Sequence, residues 1–223
     1  MLARRRYAPR VRPEAHVSVA PAEVRDTPLA KHAAERLAPG TYALASANGR
    51  PRLWSYANRA ALKGFARGVE TGRGLEGTTL VEHAFLQARN ALVDALNVLV
   101  ERVIPDVSFL AVHLDHQGLH VMSVGDSRAY LHRGNKTPQR MTPREGDPLG
   151  MLDGDPMHVT IAAEPGDLVL AGSASAFSAS AVGRVASALQ NDPNVPPAVL
   201  AALLTEPASK AGVGAVALAL RIR

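Results

Sequence analysis

The chain has 223 residues and no cysteine. Disulfides, thiolate nucleophiles and cysteine-bound zinc are excluded by that absence. It also agrees with an expected cytoplasmic location. Aromatic residues are only 4% of the chain against a hydrophobic fraction of 47%. The core is therefore expected to consist of small aliphatic side chains. Their dominance, with abundant arginine and proline, fits a GC-rich bacterial genome. No apolar run is long enough to cross a membrane. The most apolar stretch, residues 91–100, is interrupted by Asp94 and Asn97. The N-terminal arginines are not followed by the apolar stretch of a secretory signal. No GxSxG elbow is present, so Ser173, Ser175, Ser178 and Ser180 read as helix-capping residues rather than nucleophiles. Gly72-Arg73-Gly74 is not read as a phosphate-cradling loop.

Charge is unevenly placed. Residues 1–14 carry Arg4, Arg5, Arg6, Arg10 and Arg12 against Glu14, which is +4 of the chain's net +5. A disordered basic arm is expected over 1–14, followed by one domain over 15–223. Nucleic acid is not an expected partner except through that arm.

Strands are expected at His16–Ala20, Thr41–Ser46, Val107–Leu114, Leu119–Val124, Ser127–Arg133, Met157–Ala162, Leu168–Gly172 and Val213–Arg223. Helices are expected over Ala57–Val69, Thr79–Val103, Ser178–Leu189 and Pro197–Leu204. In the second of these, Val81, Phe85, Ala88, Leu92, Leu96, Leu99 and Val103 recur at helical spacing. Thr79 and Glu82 fit a capping box at its start. Residues 134–155 read as a loop. Amphipathic helices need a sheet to cover, and one-sided strands need another sheet. The expected fold is α+β: two stacked antiparallel sheets flanked by helices.

The most specific run is Val124-Gly125-Asp126-Ser127-Arg128-Ala129-Tyr130-Leu131. It reads as strand, tight turn, strand. Further runs follow in order: Met141-Thr142, Leu149-Gly150, Glu164-Pro165-Gly166-Asp167 leading into Leu168-Val169-Leu170, and an alternating last strand. Over residues 20 to 223 this ordered set resembles the metal-dependent protein phosphatase 2C family. The resemblance implies an α-β-β-α sandwich. In that family, aspartates at strand ends hold two metal ions that hydrolyse phosphoserine and phosphothreonine.

At the matching places the aspartates are gone. Ser46 stands where the family's DGxGG motif begins, Ala174 in the middle of its SDG, and Val213 at the start of its DN. The early acidic pair is replaced as well, because Pro28-Leu29-Ala30 follows Arg25 and Thr27. Hard divalent cations need several carboxylate oxygens to displace water. No metal cofactor and no metal-dependent hydrolysis are expected. Gly125, Asp126, Ser127 and Arg128 are retained, with Asp126 read as a turn residue accepting backbone N–H bonds and Arg128 as pairing with a nearby carboxylate or capping the turn. Arg25 matches a family arginine that contacts phosphate, so it is a candidate phosphate contact. The flap between Met141-Thr142 and Leu149-Gly150 is reduced to residues 143–148.

Separately, His113 and His120 are expected to face each other across a hairpin, with His116 in its turn and His132 on the next strand. Zinc binding by this set is one reading and exposed strand histidines are the other. The leading functional expectation is a pseudophosphatase. It would act as a binding or regulatory module for a kinase, an active phosphatase, a phosphoprotein or an assembly component. A divergent phosphatase that hydrolyses phosphoesters by other means is the alternative.

Overall fold

The computed structural model describes residues 13–38, 40–99, 105–134, 136–143 and 149–223. Twelve strands and four α-helices follow in the order β1 Pro13–Ala20, β2 Ala22–Val24, β3 Thr27–Leu29, β4 His32–Ala38, β5 Thr41–Ala47, α1 Trp54–Thr71, α2 Gly77–Asn97, β6 Val107–Leu114, β7 Leu119–Val124, β8 Ser127–His132, β9 Gln139–Arg140, β10 Met157–Ile161, β11 Leu168–Ser173, α3 Ala179–Asn191, α4 Pro197–Lys210 and β12 Ala215–Ile222. Short 3-10 turns at Pro51–Leu53 and Ala174–Phe177 lead into α1 and α3.

Two five-stranded sheets carry the fold. The first has strand order β1-β12-β11-β8-β9, the second β10-β7-β6-β5-β4. Every pairing within them is antiparallel. Strand alternation assigns each residue to a layer. On β12, Val216, Leu218, Leu220 and Ile222 point to the core between the sheets, where Leu44, Leu110, Val112 and Val121 meet them. Its other face, Ala215, Ala217 and Ala219, lies under α3 and α4. On β5 and β6, Ala43, Ala45, Phe109 and Ala111 face α1 and α2. The result is four layers in the order helix, sheet, sheet, helix. The expected α+β sandwich is the fold observed.

Small residues set the layer spacing. In α1, a Cβ built on Gly68 would lie 2.4 Å from the Ala84 Cα, and one on Gly64 2.8 Å from the Ala88 Cα. The α1 and α2 backbones therefore touch, with no side chain between them at these points.

Several expectations need correction. Strand β1 starts at Pro13, so Pro13 and Glu14 belong to the sheet rather than to an arm. The arm expected over 1–12 lies outside the described residues. The capping box at Thr79 and Glu82 is not formed, because α2 starts earlier, at Gly77. Its first N–H donates instead to Asp115 Oδ2 at 2.8 Å, a carboxylate brought in by the β6–β7 turn. Helix α2 ends at Asn97, and residues 100–103 of the expected helix lie outside the described residues. Within the expected loop 134–155, Gln139–Arg140 forms a two-residue strand beside β8.

Candidate functional site

Strand register brings six strand ends to one place between the sheets. Ser46 is opposite both His32 on β4 and Ser108 on β6. Ser173 at the end of β11 is opposite Ser127 at the start of β8. Its hydroxyl accepts a hydrogen bond from Val216 N at 3.2 Å, next to where β12 begins. Ala174 follows at once in the chain, and Val213 precedes β12 by two residues. The three positions singled out in the sequence, Ser46, Ala174 and Val213, therefore lie at neighbouring strand ends that border one candidate cleft.

His32 is the residue that joins them. Its Nδ1 lies 2.9 Å from Ser46 Oγ. The ring also sits against the Val213 and Gly214 backbone. Only 5% of the residue is exposed, and Nε2 has no hydrogen-bond partner. Burial, followed by the charge on Lys31, lowers its pKa to about 4, although the Val213 and Gly214 backbone groups favour the charged form. His32 is thus a neutral imidazole near pH 7.

The cleft is lined by hydroxyls. Ser173 Oγ and Ser175 Oγ are 2.9 Å apart. Ser108 Oγ accepts from Asp126 N at 3.2 Å. Gly125 has φ +79°, and a Cβ there would lie 2.4 Å from Ser108 Oγ. This close approach requires glycine. The Asp126 carboxylate is 56% exposed and stands 4.0 Å from Arg128 Nη2. It receives no backbone N–H from the described residues, so the expected role in bracing the turn passes to the Ser108 hydroxyl. Arg25 is exposed at the tip of the β2–β3 hairpin, where Arg25 and Asp26 have φ +51° and +61°. That hairpin is anchored beside the cleft by Glu23 N donating to Gly212 O at 2.7 Å.

This donor set does not suit two hard divalent ions. A hydroxyl, a methyl and an isopropyl group occupy the three positions, and Asp126 points to solvent. Among the described residues no cluster of three or more His, Asp or Glu side chains has metal-binding geometry.

The hairpin histidines form a different constellation from the one expected. His113 and His120 do face each other, with rings 5.9 Å apart, but they are buried rather than exposed, at 9% and 1%. His132 is on the other sheet. Asp115 lies between the pair, 3.4 Å from His113 Nε2 and 3.3 Å from His120 Nε2. His158 of β10 stacks on His120 at 6.0 Å. Burial opposes ionisation of Asp115. Hydrogen bonds from Gln117 and Gly77 N–H, with His120 and His113, outweigh it and hold the carboxyl below its ordinary value. Burial pushes His113 down against the pull of Asp115. His116 is apart from the cluster, 3.5 Å from Glu76.

Two further features were hidden in the sequence. Asp106 Oδ1 and Oδ2 accept backbone N–H bonds from Val107, Gly150 and Leu152 at 2.7, 2.8 and 3.1 Å, pinning the chain after residues 144–148. Gly72–Gly77 has the literal spacing GxGxxG. It joins one helix to another, without the preceding strand that a dinucleotide-binding loop needs.

No protein-family model matches the chain, and no curated protein matches it in sequence. Solved structures do match in shape. The Ser-Thr phosphatase MsPP from Mycobacterium smegmatis, solved with cacodylate, superposes with a TM-score of 0.72 at 20% identity, covering 93% of this chain and 97% of that one. The serine/threonine phosphatase PstP from Mycobacterium tuberculosis gives 0.75 at 16% identity, with 94% and 98% covered. Its catalytic domain has also been solved with two manganese ions. PppA from Pseudomonas aeruginosa, described as a key regulatory component of T6SS, gives 0.70 at 14% identity, with 96% and 100% covered. The chain shares the fold of these phosphatases.

Proposed function

We propose that the chain is a degenerate member of the protein phosphatase 2C family: a pseudophosphatase that serves as a protein-binding module in bacterial Ser/Thr phosphorylation signalling or in an assembly. One observation carries this reading. Ser46, Ala174 and Val213 meet at one cleft of a phosphatase fold, and none of them is a carboxylate. A binuclear centre activates water and screens the phosphate charge through its metal ions. The residues present replace that charge density with neutral hydroxyls, a neutral imidazole and aliphatic groups. The fold likeness to PstP and PppA, one a protein phosphatase and the other a regulator of an assembly, supports a protein partner. The cleft between Ser46, Ala174 and Val213 is the candidate surface. Arg25, on the hairpin beside it, is the candidate phosphate contact.

The Ser46–His32 pair supplies a hydroxyl and a neutral base, the minimum that a divergent hydrolase would need. It lacks the rest. Among the described residues no side chain orients the His32 ring through Nε2.

The test is hydrolysis of a phosphothreonine peptide with Mn²⁺ in excess, beside a chelator control. No turnover above the buffer rate is expected in either arm. Metal-dependent turnover would show that metal ligands exist at positions other than Ser46, Ala174 and Val213. Metal-independent turnover abolished by Ser46→Ala would establish the divergent hydrolase.

A further inference from the structure

On the far side of the first sheet from the cleft, the space between α3 and the strands below it is not filled. A groove of about 700 Å³ opens there. Its origin is legible in β12. The outer face of that strand reads Ala215, Ala217, Ala219, Arg221. The alanines admit α4 closely, and the run then ends in a long cationic side chain. Helix α3 leans on α4 and on the 174–177 turn, leaving Leu168, Leu170, Phe177, Val185 and Leu189 as the groove's apolar lining.

Arg221 lines the same groove and is only 8% exposed. Its Nη2 donates to the Val195 carbonyl at 3.2 Å. Its Nε is buried with no hydrogen-bond partner. The acids nearby are engaged elsewhere. Glu14 is directly across from Arg221 in the β1–β12 register, but its carboxylate pairs with Arg223. Asp167, beside Leu168, is held in a two-bond clamp by Arg133, with both distances 2.7 Å. Among the described residues no carboxylate is within ion-pair distance of Arg221. A buried guanidinium without an anion is costly, and supplying the anion recovers that cost.

We propose that this groove is a binding site for a small amphiphilic carboxylate. The hydrocarbon body lies along Leu168, Leu170 and Val185, and the carboxylate pairs with the Arg221 guanidinium where that side chain lines the groove. A monoanion matches the single buried cation, whereas a phosphate dianion would keep one charge unbalanced in an apolar wall. Cavities of this size hold small organic ligands, here a chain on the order of ten carbons. The site is independent of the cleft and of its lost carboxylates.

Calorimetric titration of the full chain with sodium decanoate, beside 1-decanol, tests it. One saturable site is expected for decanoate, with decanol bound at least about tenfold more weakly because it carries no charge for Arg221. Ala186→Trp, at the exposed lip on α3, is expected to abolish binding. Arg221→Gln is expected to reduce decanoate to the decanol level. Circular dichroism checks each fold. Should Arg221→Gln not fold, the decanoate–decanol ratio and Ala186→Trp still decide. Absence of a saturable site, equal affinity for both ligands, or binding unaffected by Ala186→Trp would each overturn the proposal.

Discussion

His32 has the most consequential environment of any residue in the cleft, and nothing in its sequence context announces it. It precedes two alanines in a segment, His32-Ala33-Ala34-Glu35-Arg36-Leu37-Ala38, that lacks strand alternation. Its neighbours Ser46 and Val213 are 14 and 181 positions away in sequence. Only strand pairing reveals the contact. By contrast, the turn at Gly125–Arg128 was legible, because a strand–turn–strand motif keeps its order and spacing in sequence. His32 also makes a prediction at this scale. Its pKa falls from 6.5 to about 4 on folding. Between those values the unfolded chain binds a proton that the folded chain does not, so stability rises with pH there and is lost as pH falls. The slope is roughly 1.4 kcal/mol per pH unit. Burial lowers His113 and His158 as well, and they add loss of the same sign. The His32→Gln variant keeps an amide to meet Ser46 but does not titrate. Urea unfolding at pH 7 and pH 5 should therefore show the wild type losing about 2 kcal/mol more than the variant. Parallel losses in the two proteins would contradict the buried neutral imidazole.

At the scale of elements, long periodic segments were readable and their ends were not. The apolar spacing from Val81 to Leu96 identified α2 because one buried face at 3.6-residue repeat leaves a strong pattern. Its N-terminus was misplaced because the cap is not local: Asp115 arrives from a hairpin 38 residues later in the chain. The β2–β3 hairpin was unreadable for a related reason. Its tip places Arg25 and Asp26 at positive φ, where sequence usually advertises Asn or Gly. The α1–α2 contact offers a test of sign. Gly→Ala in an exposed helix gains about 1 kcal/mol through helix propensity. At Gly68 the new methyl would meet Ala84 backbone at 2.4 Å. Gly68→Ala is therefore expected to cost about 2 kcal/mol by overpacking. Equilibrium unfolding decides it, and a gain in stability would mean the two helices are not in backbone contact.

At the scale of the molecule, fold and chemistry separate. The sandwich depends on alternation, small outer-face residues and antiparallel register, none of which requires a carboxylate at the strand ends. Sequence likeness of 14–20% to these solved structures accompanies a shared architecture at TM-scores of 0.70–0.75. The cleft is another matter, since it is made by a few side chains at strand ends. On the proposed reading, serine, alanine and valine in place of three aspartates remove about three negative charges from a place that would have to hold two divalent cations. A neutral imidazole and several serine hydroxyls are weak ligands for such ions. The outer groove beneath α3 was not read from the sequence, because the alanine–arginine face of β12 becomes a groove wall only once α3 and α4 are placed over it.

The most direct test of the vacated cleft is calorimetric titration of the wild-type chain with Mn²⁺ to millimolar concentration near pH 7. The account predicts no saturable heat. Two-site binding that disappears on Asp126→Asn would contradict it and would place a metal centre where none is proposed.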